Sequence, residues 1–171
     1  MAHLFRRLAR ILKHQWHGSG ALPPGLRGPV MQRLAARVAD SELQHSGQIR
    51  LCLEASMPLS YLWRDAAPRE RAITLFGKLR VWDTERNNGV LIYLLLAENA
   101  IEIVADRALA RQVPPPVWTA LVARMGETLR AGHFEAALNQ AIDEVGLLLQ
   151  THCADLAQTD NELPDAPVVM L

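Results

Sequence analysis

Cysteine, aromatic residues and net charge are all scarce in this chain, and each scarcity narrows the class of protein. The two cysteines, Cys52 and Cys153, lack paired spacing and are too few for a disulfide framework or a cysteine-based zinc site. They favour a reducing compartment, in which both act as ordinary packed thiols. Aromatic side chains make up only 5% of the residues and basic residues cluster only near the N-terminus, so no nucleic-acid partner is expected.

Long apolar runs and nucleotide-binding motifs are absent as well. No run reaches the roughly 18 apolar residues that a membrane span needs, and Arg10 and Lys13 interrupt the segment in which a secretory signal would lie. The chain has no GxxxxGK[ST] phosphate loop, no GxGxxG turn, no GxSxG elbow and no HExxH zinc motif. We therefore predict a cytoplasmic protein, peripheral to the inner membrane if it binds a membrane at all.

The charges that are present are unevenly placed. Residues 1–28 hold five basic residues and no acid, a charge of +5, whereas the remaining chain holds 13 basic and 18 acidic residues, a charge of −5. We divide the chain into a basic head with a Gly/Pro linker (1–28), a folded domain (29–153) and an acidic C-terminal tail (154–171). The tail has no hydrophobic period and is predicted to be disordered, with docking of its final Val-Val-Met-Leu as the alternative.

The head predicts an amphipathic helix over residues 3–16. Its apolar face is formed by Leu4, Phe5, Leu8, Ile11, Leu12 and Trp16. The candidate contacts with a membrane or a partner are Arg6, Arg7, Arg10, Lys13 and Trp16. Such a helix suits an anionic membrane interface, and the alternative is that it packs on its own domain or on a second subunit.

Apolar spacing in the central region predicts an α/β domain. A helix begins near Pro29, a strand covers residues 49–55, and a helix from Pro68 keeps Ile73, Phe76 and Leu79 on one face. A second strand over residues 90–96 is followed by a hairpin, and further helices begin near Pro114 and Phe134. A strand, a crossover helix and a strand form a parallel βαβ unit. The prediction is a three-layer αβα sandwich with a small mixed sheet, in which a hairpin follows the βαβ unit.

The polar side chains of segment 83–107 are expected to come together at the base of that hairpin. A two-residue turn at Glu98 and Asn99 would place Asp106 opposite Leu91, one step from Gly89. The candidate ligands for Ca²⁺ or Mg²⁺ are Asp83, Glu85, Asn87, Asn88 and Asp106, with Arg107 as a candidate phosphate or anion contact. A purely structural role stays open: the asparagines and the glycine form a turn, and Asp106 caps the segment that follows.

Three motifs resemble the TPM domain family. They occur in family order as Gly47-Gln-Ile-Arg, Asn87-Asn-Gly-Val-Leu-Ile-Tyr-Leu-Leu-Leu and Ile101-Glu-Ile-Val-Ala-Asp. Trp118 and Gly132-His-Phe-Glu-Ala-Ala extend the similarity, which covers about residues 30–153. The chain as a whole resembles the short soluble bacterial branch of the family, and the resemblance implies an αβα sandwich.

The resemblance also implies two functions. One is a non-catalytic interaction or assembly domain near a membrane or a membrane protein of the LemA type, and the other is a divalent-metal-dependent acid phosphatase. The cation site of the family joins the Asn-Gly loop to an acidic pair after the hairpin. In this chain Arg107-Ala-Leu-Ala-Arg follows Asp106, and Gln48 stands where a glutamate is commoner. We therefore favour the interaction role.

Overall fold

The computed structural model describes residues 2–18, 22–155 and 160–171, which form seven α-helices and four β-strands. The helices are α1 (Ala2–Gly18), α2 (Pro29–Glu42), α3 (Leu59–Trp63), α4 (Pro68–Lys78), α5 (Arg107–Ala110), α6 (Pro115–Arg130) and α7 (Phe134–His152). The strands are β1 (Gln48–Glu54), β2 (Gly89–Leu95), β3 (Ala100–Ala105) and β4 (Val168–Met170). Short 3₁₀ turns cover Pro24–Leu26 and Leu96–Glu98.

The four strands form one mixed sheet in the order β3-β2-β1-β4. Strand β1 is parallel to both β2 and β4, whereas β2 and β3 are antiparallel. Helices α3 and α4 connect β1 to β2, so the predicted parallel βαβ unit and the hairpin after it are confirmed. Helices α2, α6 and α7 pack against one face of the sheet and α4 against the other, which gives the predicted αβα sandwich.

The central position of strand β2 explains why its apolar run is unbroken. Val90, Ile92 and Leu94 belong to the core under α2, α6 and α7. Leu91, Tyr93 and Leu95 belong to the core under α4. Because successive strand residues point to opposite faces, a central strand that is covered on both sides needs apolar residues at every position.

The hairpin connection is longer than predicted. Leu95 pairs with Ala100, and Asn99 takes a left-handed conformation at φ 48°, so residues 96–99 all lie in the connection. Leu96 is buried in the core, and the N–H of Ala97 donates to the carbonyl of Ala55 at 3.0 Å. These contacts take both residues out of the ladder. The predicted pairing of Asp106 with Leu91 is therefore wrong.

The C-terminal tail is not disordered over residues 160–171, and the prediction of disorder is wrong there. Strand β4 pairs with β1 from Cys52↔Val168 onward, and the N–H of Ala55 donates to the carbonyl of Met170 at 2.8 Å. Ahead of β4, the side chain of Gln48 accepts the N–H groups of Glu162 and Leu163 at 2.9 and 3.0 Å. A three-residue strand and a single buried Leu163 are too short a signal for periodicity to detect.

Helix α4 buries a different face from the one its spacing indicates. Ile73 is 54% exposed, whereas Ala72 and Leu75 are fully buried beside Arg71. Arg71 forms an ion pair with Glu54 on β1 inside the core. This contact turns the helix so that Arg71, rather than Ile73, faces the sheet.

Glu42 at the end of α2 is a buried carboxyl group whose ionisation should make the stability of the domain depend on pH. Its Oε1 accepts the N–H of Ile49 at 2.6 Å, and burial raises its pKa from 4.5 to about 8. The folded state therefore holds a proton that the unfolded chain releases above pH 4.5. We expect the free energy of unfolding to fall as the pH rises from about 4.5 towards 8.

The variant Glu42→Gln should lack this contribution. Urea unfolding at several pH values between 5 and 8 measures the difference between the variant and the parent. Burial lowers the pKa of His45, which contributes the opposite slope, so the difference and not the absolute profile isolates Glu42. Glu127→Gln, at an exposed position on α6, is the matched control. Parallel profiles for Glu42→Gln and the parent would contradict the prediction.

Candidate functional site

The predicted site lies where the loop before β2 meets α5, and backbone hydrogen bonds hold it in shape. Asn87 has a left-handed φ of 52°, and its N–H donates to the carbonyl of Thr84 at 3.1 Å. Its own carbonyl accepts the N–H of Ala108 at 3.0 Å. The N–H of Asp106 donates to the carbonyl of Gly89 at 2.9 Å. The loop and α5 are therefore fixed relative to each other.

Two of the predicted ligands, Asn88 and Asp106, are buried beside Gly89. The amide nitrogen of Asn88 donates to the carbonyl of Ser46 at 2.8 Å, and Oδ1 of Asp106 accepts the N–H of Arg107 at 2.6 Å. The remaining oxygens, Oδ1 of Asn88 and Oδ2 of Asp106, are buried and have no hydrogen-bond partner among the described residues. A buried acceptor without a donor is costly, so these two oxygens suit a cation or a bound water.

The other predicted ligands are placed differently. Asp83 and Glu85 are exposed, and the N–H of Glu85 donates to the carboxylate of Glu162 in the tail at 2.8 Å. The side-chain oxygen of Asn87 accepts a hydrogen bond from Arg107 at 2.6 Å. Within residues 2–18, 22–155 and 160–171, no three His, Cys, Asp or Glu side chains come together as a metal site.

This donor set fits one kind of cation better than the other. Calcium takes about six to eight oxygen ligands, whereas magnesium keeps several waters and needs only one or two carboxylates. One carboxylate and one amide oxygen therefore suit hydrated Mg²⁺. Sequence reasoning missed Ser46 and Thr84, which orient Asn88 through its amide nitrogen and its backbone N–H. The position of Ser46 directly before the Gly47 motif is the one signal that points to it.

Helix α1 forms a second candidate surface, and it packs on the domain through polar side chains. Arg10 forms ion pairs with Glu98 at 2.7 Å and with Asp65 at 2.9 Å. His14 is fully buried, with Nε2 2.8 Å from Glu98 and Nδ1 accepting the N–H of Met57 at 3.1 Å. Burial acts to raise the pKa of Glu98, but hydrogen bonds from His14 and Arg10 outweigh it and the pKa is lowered. The carboxylate therefore stays charged and ties α1 to the hairpin connection.

The apolar side of α1 faces away from the domain. The exposed fractions are 69% for Phe5, 45% for Leu8, 67% for Leu12 and 83% for Trp16. Ile11 alone among the described members of this side packs against the core. Of the basic residues, Arg6 and Lys13 are exposed, Arg7 is half-buried, and Arg10 is held by its two ion pairs.

Comparisons with known proteins agree on the fold. A sequence profile of the TPM domain matches residues 26–147. The NMR structure of the BA42 protein from the psychrophilic bacterium Bizionia argentinensis has a TM-score of 0.75 at 22% identity, over 88% of this chain and 99% of that protein. The solution NMR structure of the N-terminal domain of a P. gingivalis protein has a TM-score of 0.60 at 15% identity, over 78% and 84% of the respective chains. No curated protein matches the sequence significantly.

Proposed function

Because the chain belongs to the TPM domain family, we propose that it is a non-catalytic interaction or assembly domain that helix α1 holds beside an anionic membrane surface. The observation that supports this role is the outward-facing apolar side of a helix whose polar side is fixed to the domain. The membrane would be the cytoplasmic face of the inner membrane, and a LemA-type membrane protein is the kind of partner that the family resemblance suggests.

The geometry of α1 favours a surface-lying helix. Phe5, Leu8, Leu12 and Trp16 recur at spacings of three and four residues, so they form one row along the helix. Exposed Arg6 and Lys13 lie on the same segment and carry charges opposite to those of anionic lipids. Among the described residues, none of the helices combines the length and the apolar character needed to cross a bilayer. An interfacial helix binds by inserting apolar side chains to a shallow depth and by attracting lipid headgroups.

Two charged substitutions on this row should abolish membrane binding. We expect Leu8→Glu with Leu12→Glu to weaken binding to phosphatidylglycerol vesicles by about tenfold or more per residue, because each leucine loses its apolar burial. Co-sedimentation of the full chain with vesicles measures the effect. Leu147→Glu is the control, since Leu147 is 63% exposed on α7, on the opposite side of the sheet from α4. Equal binding by the parent and the double variant would remove the membrane role.

A metal-dependent phosphatase is the second candidate function, and the two unpartnered oxygens of Asn88 and Asp106 favour it. These residues would hold the cation, and a bound cation would supply a polarised phosphate or an activated water. Arg107 would contact the phosphate. The side chains of Arg107 and Asn87 would keep that contact in place through their hydrogen bond of 2.6 Å.

Thermal unfolding tests the cation directly. A ligand that binds only the folded state adds about 2.7 kcal/mol at a hundredfold excess over its Kd, which is a rise of several degrees in Tm. We expect millimolar MgCl₂ to raise Tm more than CaCl₂ does, and EDTA to reverse the rise. Asp106→Asn should abolish the rise, whereas the exposed control Asp83→Asn should keep it. Equal Tm values with MgCl₂ and with EDTA would contradict the metal site, and assays on p-nitrophenyl phosphate would then be expected to show no turnover.

A further inference from the structure

A cleft of about 340 Å³ lies beside the candidate cation site, and arginines dominate its lining. Its walls are Arg86 and Asn87 from the loop before β2, and Arg107, Ala108 and Arg111 from α5 and the residue after it. No acidic residue from the described parts of the chain contributes to these walls. We infer that this cleft is a binding site for a small phosphate-bearing anion, and that it works without a metal ion.

Two of the three arginines, Arg86 and Arg107, are restrained by hydrogen bonds to neighbouring segments. The N–H of Ala108 donates to the carbonyl of Asn87 at 3.0 Å, and Nη2 of Arg107 donates to the side-chain oxygen of Asn87 at 2.6 Å. Arg86 donates to the backbone carbonyl of Asp155 at 2.9 Å, which restrains its guanidinium as well. Hydrogen-bond donors that are already held in place lose little conformational freedom when a ligand binds. These two guanidiniums are therefore preorganised for an anion.

The charges in the cleft are only partly compensated. Asp155 lies 3.3 Å from Arg86, and Asp106 lies 3.7 Å from Arg107. The side chain of Arg111 is exposed and forms no hydrogen bond or ion pair with any described residue, whereas its backbone N–H donates to the carbonyl of Arg107 at 3.3 Å. Arg111 follows Arg107 by four residues, a spacing that brings like charges together on one side of a helical turn and destabilises it. An anion between Arg107 and Arg111 would relieve this repulsion.

Phosphate is the chemistry that this arrangement suits best. A guanidinium offers a rigid fork of N–H donors that matches two phosphate oxygens, and its bonds to phosphate are charge-assisted. Three guanidiniums can together donate hydrogen bonds to the oxygens of one terminal phosphate group. The volume of about 340 Å³ leaves room for a small substituent on that phosphate, such as glycerol.

Phosphate could come from a free phosphomonoester or from a lipid headgroup, and the position of the cleft favours the free ligand. Asn87 precedes the first residue of β2, whereas α1 contacts Glu98 beyond its last residue. Seven strand residues at about 3.3 Å each separate these two ends by roughly 20 Å. The cleft is thus a separate site from the apolar side of α1, and the inference does not depend on the proposed membrane role.

The first test is a titration of the full chain with inorganic phosphate and with glycerol 3-phosphate. Ionic strength is held constant with NaCl, and EDTA is present throughout, so that neither screening nor a metal contributes. We expect saturable shifts of the amide signal of Ala108 in NMR spectra. We also expect a rise in Tm of about 3 °C once the ligand is tenfold above its Kd.

Three variants decide whether the cleft is responsible. Arg111→Gln should weaken binding of glycerol 3-phosphate by about tenfold, and Arg107→Gln by a similar factor, because each removes a charge-assisted contact. Arg130→Gln, at the exposed end of α6, removes the same charge elsewhere and should bind like the parent. The side chain of Arg111 has no hydrogen bond or ion pair to a described residue, so its replacement should not disturb the fold.

Two results would overturn the inference. One is a response to glycerol 3-phosphate that does not saturate, or that is the same in Arg111→Gln and in the parent. The other is binding to phosphatidic acid vesicles that depends on Arg111, with no response to glycerol 3-phosphate. Equal vesicle binding by the parent and the α1 double variant would instead count only against the membrane role.

Discussion

Replacing Arg71 by methionine should lower the free energy of unfolding by about 3–5 kcal/mol, because it would leave a charged carboxylate unpaired inside the core. Arg71 and Glu54 are each only 3% exposed. Nη2 of Arg71 donates to Oε1 of Glu54 at 2.6 Å, and Nε donates to Oε2 at 3.0 Å. The pair therefore has the two-pronged geometry that offsets the cost of burying both charges.

Tyr93 completes this buried network from the neighbouring strand. Its hydroxyl donates to Oε2 of Glu54 at 2.6 Å. Burial and the nearby Glu54 carboxylate raise the pKa of Tyr93, so the phenol keeps its proton and remains a donor. The network joins α4, β1 and β2, and removing Arg71 takes away the one positive charge among the described residues that Glu54 contacts.

Urea unfolding of two further variants separates this effect from the loss of any ion pair. Arg37→Met removes an exposed pair with Asp143, in which the side chains are 45% and 52% exposed, and should cost at most about 1 kcal/mol. The double variant Arg71→Met with Glu54→Leu should recover most of the loss, because no charge then remains buried. A cost for Arg71→Met no larger than that of Arg37→Met would contradict the prediction.

Adding a single methyl group at Gly89 should be nearly as damaging. The Cβ of an alanine there would lie well inside the contact distance of the backbone carbonyl oxygen of Val81. Val81 is fully buried and its N–H donates to the carbonyl of Phe76 at 3.0 Å, so this segment has little room to retreat. We expect Gly89→Ala to lower the free energy of unfolding by about 3 kcal/mol.

Gly77→Ala is the matched control for this substitution. A Cβ at Gly77 would meet no heavy atom within 4 Å, and the residue lies in helix α4, where alanine is favoured over glycine by about 0.5–1 kcal/mol. Chemical denaturation of both variants should therefore give shifts of opposite sign. A Gly89→Ala variant as stable as the parent would contradict the close approach of the Val81 carbonyl. The carbonyl of Gly89 accepts the N–H of Asp106, so the variant also tests how firmly that residue is positioned.

The layered fold follows from the sequence because its main signals are long and local. Strand β2 contains seven buried residues in a row, and α7 repeats its apolar residues over 19 positions. What the sequence could not show depends on single contacts between distant residues. The buried face of α4 is set by the pairing of Arg71 with Glu54, and the tail docks through scattered contacts such as those of Gln48 with Glu162 and Leu163.

The sequence predicted which segments meet at the candidate site better than it predicted which of their polar side chains are buried. The sequence predicts that Asp106 lies close to the asparagine loop, and the structure places it opposite Gly89. Spacing in the sequence does not show which polar residues of a turn point inward. The prediction therefore grouped the exposed residues Asp83 and Glu85 with the buried residues Asn88 and Asp106. The sequence likewise predicted an amphipathic α1 without showing that His14, on the polar side, is the residue that the domain buries.

The attachment of β4 also has a kinetic consequence. Cys52 and Val168 are neighbours in the sheet but are separated by more than a hundred residues of chain. Closing so long a loop is entropically costly, and distant pairings of this kind slow folding. A pairing of only three residues repays little of that cost, so β4 should join after β1 and β2 have paired. Until it does, the outer edge of β1 exposes unpaired backbone groups, and refolding at high protein concentration should be most prone to aggregation in this interval.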